Sequence, residues 1–152
     1  MASNPFESHQ DIVDNLNELY EAAIPHNRAL GLKVVEAVPE VGRASVLLPY
    51  DDKLVGNPET GVLHGGCITT LIDVACGAAV MLKLTRMVRI ATLDLRIDYL
   101  RPARPGQDVV AHADCYKLTR NVAFVRALAS HGDESDPIAS AQGTFILVED
   151  GS

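Results

Sequence analysis

What the sequence lacks narrows its function first. Nothing approaches the run of about 18 apolar residues that a bilayer-spanning helix requires. The opening MASNPFESHQDIVDNL has no basic start followed by an apolar stretch, so no signal peptide is read there. The expectation is a cytoplasmic protein with no membrane partner. Cysteine is sparse: Cys67, Cys76 and Cys115 form no CxxC pair, which argues against a disulfide framework or zinc site and fits a reducing cytosol. The histidines have no HxxxH or HxH spacing, so His64, Asp73, His112 and His131 do not read as a metal centre. No metal and no cofactor is expected. A basic surplus is missing too, and the net charge of −7 argues against nucleic acid as a partner.

What is present describes one ordinary globular chain. Its 152 residues are 47% hydrophobic and 22% charged, enough to bury a core and too apolar for disorder. Charge is uneven. Residues 1–60 hold ten acids and four bases, whereas Lys83, Arg86, Arg89, Arg96, Arg101 and Arg104 outnumber Asp94 and Asp98, a local +4 that would suit one small polyanion.

Ile12, Val13, Leu16, Leu19, Tyr20 and Ala23 recur at helical spacing within Ser8 to Ala23, and Pro25 ends that helix, followed by a turn, HNRALG. Leu32 to Val38 and Ala44 to Leu48 predict a hairpin of two strands, and DDKLVGNPETG reads as a polar loop. A long apolar helix spans about Gly65 to Leu84. Ala91 to Tyr99 alternates as a half-buried strand; Asp108 to Leu118, Val122 to Ser130 and Ile138 to Val148 are three more. Short connections imply an antiparallel sheet, and the apolar helix must be wrapped by it. The fold class is α+β.

The stretch VLHGGCITTLID poses a question, because Asp73 stands inside the apolar helix. Ile68, Leu71, Ile72, Ala75, Ala79 and Leu82 form the core stripe; Gly66, Thr69, Thr70, Asp73 and Gly77 form a second stripe of small or polar residues. Gly65 and Gly66 leave the first helical N–H groups uncovered at the positive end of the dipole, a place suited to a developing oxyanion. Eight residues separate Gly65 from Asp73, about 12 Å along one helix. A reacting carbonyl would need both within roughly 3 Å. One helix cannot supply both, but two antiparallel copies can. If the two residues cooperate, the site lies at a two-fold dimer interface.

These motifs carry a resemblance. GNPETGVLHGGCITTLIDVACGAAV, TLDLRIDYLRPARPG, KLTRNVAF and PIASAQGTF resemble the hotdog-fold thioesterases, in the branch of phenylacetate-degradation (PaaI-like) and 4-hydroxybenzoyl-CoA thioesterases, from about Gly31 to Val148. The resemblance implies a curved antiparallel sheet wrapped around one long central helix, with residues 1–30 as an N-terminal helical extension and 31–149 as the hotdog domain. It implies an acyl-CoA substrate, a homodimer and a dimer of dimers. Gly65 matches the glycine whose N–H polarises the thioester carbonyl, and Asp73 the nucleophile or general base. Asn57 and His64 match residues that orient thioester or water, and Gly66 and Thr92 match substrate-binding positions. Arg101 and Arg120 are candidates for the CoA phosphates.

Rival chemistries are weaker. Cys67 lies three residues from His64 at a helix start, yet free cysteines are most often small buried hydrophobes. His9, His26 and His131 read as ordinary surface residues. Two hypotheses stand: hydrolysis of an acyl-CoA, and a non-catalytic hotdog protein that binds an acyl thioester or related small ligand.

Overall fold

The computed structural model describes residues 8–86 and 88–148; the ends of the two expected segments, 1–7 and 149, lie outside them. The chain begins with a reciprocal cap. The Asp11 N–H donates to Ser8 Oγ at 3.2 Å and the Ser8 N–H donates to the Asp11 carboxylate at 2.9 Å, which satisfies two of the orphan donors of a helix start. Helix α1 (His9–Ala23) turns Val13, Leu16 and Tyr20 inward. The turn expected after it is instead a second helix, α2 (Pro25–Leu30). Pro25 stops α1 but stands in the first turn of α2, where a missing N–H costs nothing. Gly31, at φ 70°, closes α2 in the left-handed conformation that glycine adopts freely.

The sheet comes from β1 (Lys33–Val38), β2 (Arg43–Leu48), β5 (Arg89–Tyr99), β6 (Val109–Leu118), β7 (Val122–Ser130) and β8 (Ala139–Val148), all antiparallel in the order β1-β2-β6-β7-β8-β5. The expected polar loop holds structure that its composition concealed. It contains a 3-10 turn (Asp52–Leu54) and a small hairpin of β3 (Val55–Asn57) and β4 (Val62–Leu63). Helix α3 (Gly65–Lys83) lies against the concave face of the large sheet. Inward positions alternate along most of β6, β7 and β8, and many inward residues of the sheet are alanine: Ala44, Ala111, Ala113, Ala123, Ala129 and Ala139 are all buried. Small inward side chains let α3, itself presenting Ala75, Ala78 and Ala79, approach the sheet closely. This is the hotdog arrangement.

By length and composition α3 does qualify as a membrane-crossing helix, at 19 residues and mean hydropathy 1.7, which corrects the expectation that no such stretch exists. Here it is the core helix, but only 44% of that span is buried in the chain. The rest is one face: Gly65, Gly66 and Thr69 are exposed, and Thr70, Asp73 and Gly77 only half-buried.

The two sheet edges differ. Beside β1, the Asn17 side chain donates to the Val34 carbonyl at 2.9 Å and accepts from the Val34 N–H at 2.8 Å, so α1 blunts that edge. The β5 edge is open over 11 residues. Its expected half-buried alternation is interrupted: Thr92 faces Phe145 and Asp94 faces Thr144, so Leu93 is the extra residue of a bulge. Leu93, Tyr99 and Leu100 are 51–56% exposed. A long edge strand with no further neighbour among the described residues, and with Leu93 and Tyr99 exposed, is a pairing surface.

Candidate active site

His64 is the residue on which the start of α3 is built. Its Nδ1 accepts the Gly66 N–H at 2.9 Å, capping the helix with an imidazole. Because Nδ1 accepts, the neutral ring carries its proton on Nε2, pointing away from the helix. Two glycines make room for this ring. A Cβ on Gly66 would lie 2.9 Å from His64 Nδ1, and one on Gly56 would lie 2.8 Å from His64 Cα. The Gly66 N–H is therefore already used within the chain. The Gly65 N–H, by contrast, meets no acceptor among the described residues, and it points outward at the positive end of the helix.

Tyr99, at the end of β5, fixes this helix start from the other side. Its hydroxyl donates to the Gly65 carbonyl at 2.8 Å and lies 2.6 Å from Thr69 Oγ1. Sequence reasoning missed Tyr99 as a site residue. The signal was its place at the end of the alternating strand, directly before RPARPG.

Two turns along α3 stands Asp73, half-buried, with Thr92 Oγ1 donating to its Oδ1 at 2.8 Å. This strand-to-helix bond holds one carboxylate oxygen, and Oδ2 has no hydrogen-bond partner among the described residues. Gly66, Asp73 and Gly77 share the open face of α3. At Gly77 a Cβ would meet Ile90 and Phe145 only at 3.8 Å, so nothing within one chain demands a glycine there.

The other expected site residues are distributed unevenly. Asn57 builds the loop before the helix, since its Oδ1 accepts the Glu59 N–H at 3.0 Å and its carbonyl accepts the Gly61 N–H at 2.8 Å. Its neighbour Gly56 packs on the His64 backbone, which brings the loop to the helix start. Arg101 is committed elsewhere: Nε and Nη2 reach the two carboxylate oxygens of Asp136 at 3.1 and 3.0 Å. Arg120, at the β6–β7 turn, is exposed and has no partner among the described residues. His26, read as an ordinary surface residue, lies with Nε2 3.3 Å from Thr70 Oγ1 on α3.

A second cluster of hydrolase-like residues proves structural. Ser45 Oγ donates to Glu36 Oε1 at 2.9 Å and lies 2.6 Å from His112 Nδ1. The serine stands between acid and imidazole and is 1% exposed, whereas a nucleophilic triad needs the imidazole between them and the serine open. Cys67 is no better placed as a nucleophile, because burial pushes its thiol up.

A family model described as the thioesterase superfamily matches residues 60–138, the stretch running from the loop before α3 to the start of β8. The chain belongs to the thioesterase superfamily. Among curated members it is 33% identical to the medium/long-chain acyl-CoA thioesterase YigI of Escherichia coli K12, over 87% of this chain and 91% of that one. Solved structures of the superfamily's fold superpose well. A Pseudomonas aeruginosa protein is 41% identical with a TM-score of 0.78, covering 89% of this chain and 98% of its own. A mutant form of the phenylacetic acid degradation protein PaaI of Thermus thermophilus is 30% identical with a TM-score of 0.69, covering 82% and 99%. Within the thioesterase superfamily, the outward Gly65 N–H and the Thr92-held carboxylate of Asp73 are this chain's candidate machinery.

Proposed function

We propose that the protein hydrolyses an acyl-CoA to the free acid and CoA, in a site completed by two chains. The observation that carries this reading is the open face of α3. It offers an unpartnered N–H at Gly65 and a carboxylate with one oxygen held by Thr92, about 12 Å apart along the helix. Those groups are chemically complementary and too distant to act together in one chain. The accessible face of small and polar residues on α3 and the edge position of β5 support a two-fold partner. Antiparallel pairing of β5 with its copy would extend the sheet and bring each Gly65 towards the other chain's Asp73.

In that site the thioester oxygen accepts from the Gly65 N–H, and the positive end of α3 stabilises the oxyanion as it forms. Asp73 of the partner takes a proton from water as the water oxygen attacks the carbonyl carbon. Collapse of the tetrahedral species breaks the C–S bond, and the thiolate leaves with the proton that Asp73 returns. The alternative route uses the same geometry: Asp73 attacks directly, and water cleaves the resulting mixed anhydride. Single-turnover reaction in oxygen-18 water labels the Asp73 carboxylate only by the second route.

In this reading His64, which caps the helix at Gly66, and Asn57, in the loop that packs on His64 through Gly56, orient the thioester or the attacking water, and Gly66 and Thr92 line the approach. Of the two arginines considered for the CoA phosphates, Arg120 has no partner among the described residues, whereas Arg101 is already bound to Asp136. A tetramer formed by two such dimers and a reducing cytoplasm, which suits three free cysteines, complete the proposal. YigI directs the first screen to medium- and long-chain acyl-CoAs. Purified protein should release free thiol from one of a set of short, long and aromatic acyl-CoAs. Asp73→Ala should lower kcat by at least about a thousandfold while keeping a wild-type melting curve. Full activity in that variant would overturn the mechanism.

A further inference from the structure

The open face of α3 has two sides. On one side β5 brings Thr92 onto Asp73 and Tyr99 onto Gly65. On the other side stands the N-terminal extension, which places His26 at Thr70, with Nε2 3.3 Å from Thr70 Oγ1. Thr70 already donates its hydroxyl proton to the Gly66 carbonyl at 3.1 Å. With that proton so placed the Thr70 oxygen accepts from the imidazole, which puts the His26 proton on Nε2, and Nδ1 has no partner among the described residues. Thr70 and Asp73 are three residues apart on α3, neighbours on one helix face with Cβ atoms about 5–6 Å apart. The His26 ring thus flanks the carboxylate from the side opposite Thr92.

This flank is fixed in place. Arg28 Nη1 donates to the Glu21 carbonyl at 3.1 Å, tying α2 back to α1. The Leu32 N–H donates to the Asn27 carbonyl at 3.0 Å, and Asn27, next to His26, is only 3% exposed. Asn17 anchors α1 to the β1 backbone. His26 itself is exposed, so its ring stands at the surface beside Thr70 on a fixed base.

We propose that His26 forms the second wall of the acyl-CoA groove and selects the acyl group by size. This rests on the thioesterase reading. Whatever lies over Asp73 passes between Thr92 and His26, across a floor that Gly66 and Gly77 keep free of side chains. The imidazole sets the width of that passage, and its contact with Thr70 holds the ring upright.

The test compares kcat/KM of wild type, His26→Ala and His26→Trp over acetyl-, hexanoyl-, decanoyl-, palmitoyl- and phenylacetyl-CoA. The ratio of bulky to short acyl groups should rise about tenfold or more in His26→Ala and fall by a similar factor in His26→Trp, the scale expected when a few methylenes gain or lose room. Opposite shifts in the two variants cannot come from a general loss of folding. Ratios within twofold of wild type in both variants overturn the proposal. Calorimetric titration with S-alkyl-CoA thioethers of the same lengths separates this from the hydrolase reading. Wild type that cleaves no acyl-CoA, yet binds thioethers with a length preference that His26→Ala changes, sinks the hydrolysis and upholds the wall. Binding whose length preference is blind to His26 sinks the wall alone.

Discussion

Gly66→Ala separates the stability of the α3 start from its function. The new Cβ would stand 2.9 Å from His64 Nδ1 and 3.2 Å from Cε1, so the imidazole must leave its capping position. Loss of the 2.9 Å bond from the Gly66 N–H removes an N-cap worth about 1 kcal/mol. Replacing a helical glycine by alanine returns up to about 1 kcal/mol. The two terms nearly cancel, so urea denaturation should place the variant within about 1 kcal/mol of wild type. Activity has no such compensation. The displaced ring lies beside the Gly65 N–H, and a donor misplaced by about 1 Å costs on the order of a hundredfold in rate. Thiol release from the preferred acyl-CoA should therefore fall about a hundredfold in a protein of unchanged stability. Wild-type kcat/KM in Gly66→Ala, or an activity loss accompanied by destabilisation of more than about 3 kcal/mol, would refute the role given to His64.

Other expectations follow from single contacts. Thr92→Val removes the 2.8 Å hydrogen bond to Asp73; a bond to a charged group at an exposed residue sits near the low end of about 1.5–3 kcal/mol, so kcat should drop roughly tenfold, with Thr92→Ser keeping most of it. Acid should weaken the fold partly through Glu36. Burial raises its pKa, but hydrogen bonds from Ser45 and Arg43 and the charges of Arg43 and His112 outweigh this and hold it below the ordinary 4.5. A lowered folded-state pKa gives stability that is present above 4.5 and lost as pH falls through the depressed value, so denaturation midpoints compared from pH 6 to pH 3 should fall less steeply in Glu36→Gln. The Cys76 thiol, pushed up to about 12 chiefly by burial, with Asp73 and Cys115 adding to it, should resist alkylation at neutral pH until the protein unfolds, as mass spectrometry of labelled peptides would read.

Much of this architecture was legible because it rests on repeated patterns. The period-2 alternation of β6, β7 and β8 and the long apolar run of α3 each declare their element over many residues, and their ends agree with the structure to within a residue or two. What escaped notice depends on one or two residues acting through space. Pro25 reads as a terminator, and only the Gly31 cap and the packing of Asn27 show that it also starts α2. The β3–β4 hairpin is five strand residues in all, too short to display a period. The bulge at Leu93 shifts half of β5 relative to its pattern, and only the register against β8 reveals it. At the site, the helix glycines and Asp73 stood out as misfits in an apolar helix. Tyr99 and His26 did not, because a tyrosine on an alternating strand and a histidine in a polar segment are ordinary until their partners are known.

The central claim, a site divided between two chains, is tested most directly by mixing Asp73→Ala protein with Gly66→Ala protein under conditions of subunit exchange, with heterodimer formation followed by native mass spectrometry. Each variant alone lacks one half of both sites. A heterodimer restores one site, in which the intact helix start of the Asp73→Ala chain meets the intact carboxylate of the Gly66→Ala chain. Random exchange makes half the dimers mixed, each with one working site of two, so the account predicts recovery to about one quarter of wild-type specific activity. A mixture that contains heterodimers and stays no more active than its two parents would contradict it.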